Sequence, residues 1–321
     1  MNIFEQLKKR GFLIIFSAIV FYLLLTFFSD VNQINQSFKK IEIWYLPLIL
    51  IAVTLSIFCK SIRQKILLKN VLPSFSIKDS FLIFTAGLSL LMTPGATGTF
   101  VKSYFLKNKF RLPLSKSIPI IIIERYFDLF GILVIISIFL IFYYFETLVI
   151  PIIILDALLV TIYFILRSKN LQKHASNILR KISKNNKYSE FIDESGEEIK
   201  NLISGKKLLV IGPFSILCWS FDVIAFYLCF LSFGFSLDVF ESGLISLFSL
   251  VFGFITLIPG GLGVTELSMM GLLVRPEIEF SDASALVLFL RLCTVWFATF
   301  LGIVATRYVL KNTNLSNNKI N

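Results

Sequence analysis

Long apolar runs dominate the chain, and the polar positions between them are sparse and grouped. A membrane-spanning helix needs about 20 mostly apolar residues, within a range of roughly 17–25. Six segments meet that length: 11–29, 43–59, 117–145, 147–166, 208–234 and 283–310. Two further apolar stretches are interrupted. Ser80 to Val101 is broken by Thr93-Pro94-Gly95-Ala96-Thr97-Gly98, and Ser242 to Val274 by Pro259-Gly260-Gly261-Leu262-Gly263. Proline removes a backbone donor and glycine lowers helix propensity, so each stretch is expected to split into two short helical limbs.

Composition supports lipid as the solvent. Of 321 residues, 56% are hydrophobic and 16% charged, with a mean hydropathy of +0.82. Soluble domains carry about a quarter charged residues, so a soluble enzyme, a disulfide scaffold and a disordered chain are all excluded as readings. Lys8, Lys9 and Arg10 precede the apolar run Phe12 to Phe28 in the manner of a signal peptide. Phe27-Phe28-Ser29-Asp30 offers no small-x-small cleavage site, so the run reads as a retained first span.

Lysine and arginine bias sets orientation. Loop 60–79 holds Lys60, Arg63, Lys65, Lys69 and Lys78 against Asp79. Loop 102–116 holds Lys102, Lys107, Lys109, Arg111 and Lys116 with no acid. Both flanks of the first interrupted stretch are therefore expected in the cytoplasm, which a re-entrant hairpin satisfies and a single crossing does not. The second stretch lies between Asp238 and Glu241 on one side and Arg275, Glu277, Glu279 and Asp282 on the other. That hairpin is expected to enter from outside. A pair of short full spans, or one kinked span, is the alternative for each. The resulting scheme is an all-α polytopic membrane protein with about six spanning helices plus two re-entrant hairpins. Both termini lie in the cytoplasm, and the membrane is the plasma membrane. Counting Arg307, at the inner end of the last span, with the cytoplasmic segments, these hold 26 bases and 7 acids, the outer ones 3 and 8, and the membrane ones 2 and 5. Such a distribution makes the bases orientation signals and excludes a nucleic-acid footprint.

The two interruptions match each other. Arg125 follows Pro94 by thirty-one residues and Arg291 follows Pro259 by thirty-two, each in the span after its hairpin. Paired Gly/Pro-interrupted segments in corresponding positions point to an inverted-repeat transporter site. The first repeat is taken as 43–145 with hairpin 80–106, and the second as 208–310 with hairpin 242–274. Irregular backbone at membrane depth must be buried in protein or line a watery cavity. That requirement singles out the tips Pro94, Gly95, Gly98, Pro259, Gly260, Gly261 and Gly263. Between the repeats, 167–207 has apolar residues at helical spacing on either side of Asn185-Asn186, and reads as a cytoplasmic amphipathic pair of helices. Its bases Lys169, Lys173, Arg180, Lys181 and Lys184 leave attraction to anionic lipid as the other reading.

Charges inside spans are costly and mark interior paths. Glu124 and Asp128 share a helix face, and Arg125 lies three residues before Asp128, within pairing reach. Glu266 sits just past the second tip and Arg291 in the last span. Together these are expected to gather where the repeats meet. The second limb of each hairpin starts a helix whose free N–H groups favour an anion. Arg125 and Arg291 suit bidentate phosphate binding, and Glu124, Asp128 and Glu266 suit a cationic group, the arginines themselves or a proton. Structural ion pairs are the competing reading. Asp156 and Asp222, each within a span, make weaker candidates. Cys59, Cys218, Cys229 and Cys293 all lie in apolar runs and read as small buried hydrophobes. With His174 the one histidine, no metal site and no cofactor are expected.

At these residues the sequence resembles a known family, the flippase-like membrane domain of lysylphosphatidylglycerol synthases and its stand-alone bacterial and archaeal relatives. Four stretches over about residues 10–310 carry the resemblance. They are Thr93-Pro94-Gly95-Ala96-Thr97-Gly98 with Lys102; Glu124-Arg125 with Asp128; Ile258-Pro259-Gly260-Gly261-Leu262-Gly263-Val264 with Glu266; and Arg291-Leu292 with Thr294 and Trp296. Family members commonly carry an acid right after the first hairpin's second glycine, where this chain has Thr99, so a role for that acid does not transfer. The synthases add a soluble aminoacyl-transferase domain, for which a chain ending at Asn321 has no room. The resemblance thus implies translocation of a lipid or lipid-linked substrate, not aminoacyl transfer.

In the expected mechanism a phospholipid or polyprenyl-linked headgroup enters the polar cavity while its tails stay in lipid. Arg125 and Arg291 hold the phosphate, Lys102 attracts it from the cytoplasmic leaflet, and Glu124 and Glu266 take the rest of the headgroup or a proton. A lipid synthase or glycosyltransferase is a possible partner. Two alternatives stay open: a membrane-embedded lipid-modifying enzyme or its accessory subunit, and a transporter of a small soluble ion or metabolite.

Overall fold

In the computed structural model, the described residues are 31–91, 99–142, 146–168, 170, 186–256, 258–274 and 278–317. The expected first span 11–29, the first tip with Pro94, Gly95 and Gly98, and loop residues 171–185 lie outside them. The apolar runs become helices, because in lipid only a helix or a closed barrel satisfies every backbone group internally. In chain order these are α1 Val31–Lys39, α2 Tyr45–Leu68, α3 Ile77–Gly87, α4 Val101–Phe110, α5 Leu114–Phe142, α6 Glu146–Arg167 and α7 Asn186–Leu202. There follow α8 Gly205–Ser232, α9 Val239–Ile255, α10 Val264–Leu273, α11 Phe280–Arg291 and α12 Phe297–Asn317. A wide π turn, Leu292–Trp296, joins α11 to α12. Among the described residues five stretches are long and apolar enough to cross a membrane: Tyr45–Leu68, Leu114–Phe142, Leu148–Arg167, Lys207–Ser232 and Phe280–Lys311. The molecule is an all-α polytopic membrane protein.

One boundary differs from the sequence expectation. Helix α2 does not stop at residue 59 but runs to Leu68. Lys60, Arg63 and Lys65 are therefore helical, not loop residues. The apolar triplet Ile66-Leu67-Leu68 continues the packing, and Leu67 and Leu68 are fully buried.

Two compact units divide the chain, and neither is a continuous segment. One gathers Met1–Leu55, Gly87–Thr99 and Phe221–Val304, as far as these are described. Inside it α9 packs on α10, α10 on α11, and α11 on α1. Asp238 caps α9 by accepting a hydrogen bond from the Glu241 amide at 2.8 Å. Asp282, in the first turn of α11, accepts from Ser37 Oγ at 2.5 Å and from Lys40 Nζ at 3.2 Å, which ties α1 to it. The turn Leu88–Leu90 lies against α12 so closely that a Cβ on Gly302 would sit 2.3 Å from the Ser89 amide nitrogen.

The other unit gathers Ser56–Ala86, Phe100–Ser220 and Ala305–Asn321. Helix α5 is its centre, packed by α4, α6 and α7. The two limbs of the first interrupted stretch, α3 and α4, are joined at their outer ends. Lys109 Nζ reaches Asp79 Oδ1 at 2.5 Å, and the rings of Phe75 and Phe110 meet edge to face at 5.3 Å. Ser76 Oγ donates to Asp79 Oδ2 at 2.7 Å and accepts from the Asp79 amide, which fixes the start of α3.

Candidate functional site: two buried ion clusters

Each unit buries its own set of charges. In the unit centred on α5, the carboxyls of Glu124 and Asp128 share the buried face of that helix, one turn apart. Asp128 is the better provided. Arg63 Nη2 donates to its Oδ1 at 2.5 Å, Trp219 Nε1 approaches the same oxygen at 3.3 Å, and Arg125 Nη1 lies 3.3 Å from Oδ2. Arg63 also donates from Nη1 to Ser215 Oγ at 3.0 Å and is fully buried. Glu124 pairs with the ammonium of Lys102 through Oε2. That ammonium lies 4.7 Å from the centre of the Phe84 ring, and Lys60 Nζ stands 3.8 Å over the Trp219 ring.

A buried charge is tolerated only when paired and hydrogen-bonded. Lys102 and Glu124, exposed by 2% and 0%, satisfy that with each other. The five groups Arg63, Lys102, Arg125, Glu124 and Asp128 comprise three bases and two acids. Their pairing leaves polar atoms over. Arg63 Nε, Arg125 Nε and Glu124 Oε1 are buried without a hydrogen-bond partner among the described residues.

The cluster of the other unit is closed on itself. Gly260, Gly261 and Gly263 all have positive φ, at 61°, 67° and 85°, which glycine alone adopts without strain. That backbone turns the chain sharply and starts α10 at Val264. Glu266, in the first turn of α10, uses both oxygens: Oε2 accepts from the Gly263 amide at 2.8 Å and Oε1 from Arg291 Nε at 2.7 Å. Arg291 Nη2 donates to the Gly260 carbonyl at 2.5 Å. One base and one acid thus clamp the tip. Arg291 ends α11 just before the π turn, a deformation that recurs at functional sites.

The structure therefore brings together Lys102, Glu124, Arg125 and Asp128 in one unit, and Gly260, Gly263, Glu266 and Arg291 in the other. The Arg125–Asp128 and Glu266–Arg291 pairs follow the sequence expectation. Lys102 does not stand on a cytoplasmic loop. It lies buried on α4, because only there does Glu124 compensate it. Sequence reasoning missed Arg63, which base counting assigned to a loop; the apolar residues at 66–68 were the available signal that the helix continues. Asp156, half-buried on α6, accepts from Ser137 Oγ at 3.0 Å. All four cysteines are buried and outside any disulfide, with Cys59 and Cys218 Sγ atoms 3.0 Å apart. Among the described residues no three His, Cys, Asp or Glu side chains come together as metal ligands.

Spanning helices that enclose compensated charges, with one hairpin tip clamped by an ion pair, define a polytopic membrane protein built around buried ionic sites. Residues 13–302 match the lysylphosphatidylglycerol synthase TM region, and the chain belongs to that family. Similar stand-alone proteins share its length. A UPF0104 membrane protein of Pyrococcus horikoshii is 25% identical over 95% of this chain and 98% of its own. One of Methanocaldococcus jannaschii is 27% identical over 85% of each chain, and one of Methanothermobacter thermautotrophicus 22% identical over 94% and 96%. No solved structure matches the chain.

Proposed function

We propose that the protein is a transporter of flippase type, moving a phospholipid or lipid-linked anionic headgroup across the plasma membrane without altering it chemically. The observation that carries this reading is the buried cluster around α5, where three bases face two acids and two arginine donors lack partners. In an apolar interior an excess base attracts an anion, and arginine matches phosphate geometry. Family membership supports a lipid as the source of that anion.

In this reading the two interrupted stretches are re-entrant hairpins of an inverted repeat, with both termini in the cytoplasm. Three of their four limbs support it by length, α9 with 17 residues being the exception. Helices α3, α4 and α10 have 11, 10 and 10 residues. At 1.5 Å per residue a ten-residue helix reaches only about 15 Å, half of a hydrocarbon core of roughly 30 Å. Arg125 receives the phosphate, with Lys102 held on Glu124 beside it, while the acyl chains stay in lipid. Glu266 and Arg291 keep the second tip, in the other unit, in shape. A lipid synthase or glycosyltransferase is the partner expected to supply or use the lipid.

The test is an acyl-labelled phosphatidylglycerol in proteoliposomes, with label accessible to a membrane-impermeant quencher read over time. Protein-dependent exchange between leaflets that Arg125→Gln abolishes is the expected result. A product of changed mass would instead favour an enzyme.

A further inference from the structure

The unpartnered groups beside the α5 cluster say more about the headgroup than its charge. Gln64 directly follows Arg63 on α2, and both its Nε2 and Oε1 are buried without a partner among the described residues. Ser103 directly follows Lys102 on α4, and its Oγ is likewise buried and unpartnered. Ser117 precedes Glu124 by seven residues, two turns along the same face of α5, and its Oγ is in the same state. Folded proteins leave few such atoms, and those that occur call for a ligand or water. The three helices that build the cluster, α2, α4 and α5, thus each also carry a buried, neutral, hydrogen-bonding side chain within two turns of a charged residue.

The charges themselves discriminate. With three bases and two acids, the five-residue cluster has an excess of positive charge, to which half-buried Lys60 over the Trp219 ring adds, and a phosphodiester anion offsets it. The two unpartnered arginine donors, Arg63 Nε and Arg125 Nε, are of the type that binds phosphate oxygens. An ammonium group finds no such match. Glu124 Oε1 is the one unpartnered carboxylate oxygen of the cluster, and its carboxyl is already compensated by Lys102. Adding a cation would raise the buried excess instead of removing it.

We infer that this cluster is a headgroup subsite for a phosphodiester monoanion whose remaining headgroup is uncharged and hydroxyl-bearing, with Arg63 and Arg125 on the phosphate and Gln64, Ser103 and Ser117 on the hydroxyls. Zwitterionic and aminoacylated headgroups are disfavoured at it. The inference rests on the proposed transport reading for its lipid source, but binding tests it separately from transport.

The experiment measures the full-length protein in detergent by melting shift against four probes. These are phosphatidylglycerol, phosphatidylethanolamine, lysyl-phosphatidylglycerol and glycerophosphoglycerol, the deacylated headgroup of the first. Phosphatidylglycerol is expected to bind at least tenfold more tightly than either amine-bearing lipid. Gln64→Leu combined with Ser103→Ala is expected to narrow that ratio to within about threefold while the ligand-free protein still melts cooperatively. An amine-bearing lipid that binds as tightly as phosphatidylglycerol overturns the inference and leaves transport standing. An unchanged ratio in the double variant overturns the assignment of the hydroxyl-reading residues. Selective binding without leaflet exchange supports the subsite and overturns the flippase reading. Binding of glycerophosphoglycerol as tight as the lipid supports the same chemistry with a soluble source, and also overturns that reading.

Discussion

Arg63 and Asp128, 65 positions apart in the chain, meet in a buried contact with Nη2 2.5 Å from Oδ1. This contact ties α2 to α5 and turns a residue of apparent loop character into part of the interior. Breaking a buried pair by removing one partner leaves an uncompensated charge, which typically costs about 3–5 kcal/mol. Asp128→Asn is expected to destabilise by that order, because it strands both Arg63 and Arg125. The double variant Arg63→Met with Asp128→Leu is expected to lose less than the worse single variant. Thermal melting of the double variant beside the Arg63→Met and Asp128→Leu single variants measures this, and additive losses would contradict the coupling.

The second tip depends on one side chain serving two acceptors. Arg291 reaches Glu266 through Nε and the Gly260 carbonyl through Nη2. A lysine ammonium is a point charge on a flexible stem and lacks this fixed fork. Arg291→Lys is therefore expected to fall well short of wild type, with leaflet exchange reduced at least about tenfold and Glu266→Gln similarly impaired. Exchange rates in proteoliposomes check this, and normal exchange in both variants would remove these residues from the site.

Gly302 offers a steric test within its unit. A Cβ there would lie 2.3 Å from the Ser89 nitrogen and 2.7 Å from the Leu88 carbonyl carbon, both backbone atoms that no rotamer change can move. Gly302→Ala is expected to destabilise by about 1–3 kcal/mol through overpacking. Gly271 on α10 is the control, because a Cβ there meets nothing within 4 Å. Its replacement by alanine is expected to be neutral or to stabilise by up to about 1 kcal/mol, from helix propensity. Melting of the two variants side by side decides the matter.

The tie between the outer ends of α3 and α4 is expected to weaken in acid. Burial raises the proton affinity of Asp79. Hydrogen bonds from Lys109 and Ser76, with the charges of Lys109 and Lys78, outweigh burial and leave the carboxyl ionising below its ordinary 3.8. A carboxylate with a lowered folded value contributes its stability above the unfolded value and loses it as pH falls through the folded one. Asp79→Asn should thus melt below wild type at neutral pH, and the gap should close as the pH drops beneath 3.8. A gap that stays constant through that range would contradict the assignment.

Much of this arrangement was legible in the sequence for simple reasons. Uninterrupted apolar runs can satisfy their backbone in lipid only as helices, so α5, α6 and α8 fall close to their expected places. Local spacing gave Arg125 with Asp128, and the glycines after Pro259 gave the tip that Arg291 clamps. Arg63 and Lys102 were not legible in the same way. A lysine or arginine beside an apolar run carries the same signal whether it faces water or a buried carboxylate, and only the folding of α2 and α4 against α5 brings them to Asp128 and Glu124. Cysteine burial could be read from the runs, whereas the approach of Cys59 to Cys218 depends on how α2 and α8 pack.

The most direct measurement is the rate of leaflet exchange of acyl-labelled phosphatidylglycerol in proteoliposomes, for wild type and Arg125→Gln in parallel. Arg125 is only partly buried, with a side-chain exposure of 28%, and among the described residues its carboxylate contact is the 3.3 Å approach to Asp128. The variant is therefore expected to fold and to keep a melting temperature near that of wild type. Exchange that requires the wild-type protein and falls at least about tenfold in Arg125→Gln is the predicted result. Equal rates in wild type, variant and protein-free vesicles would contradict it.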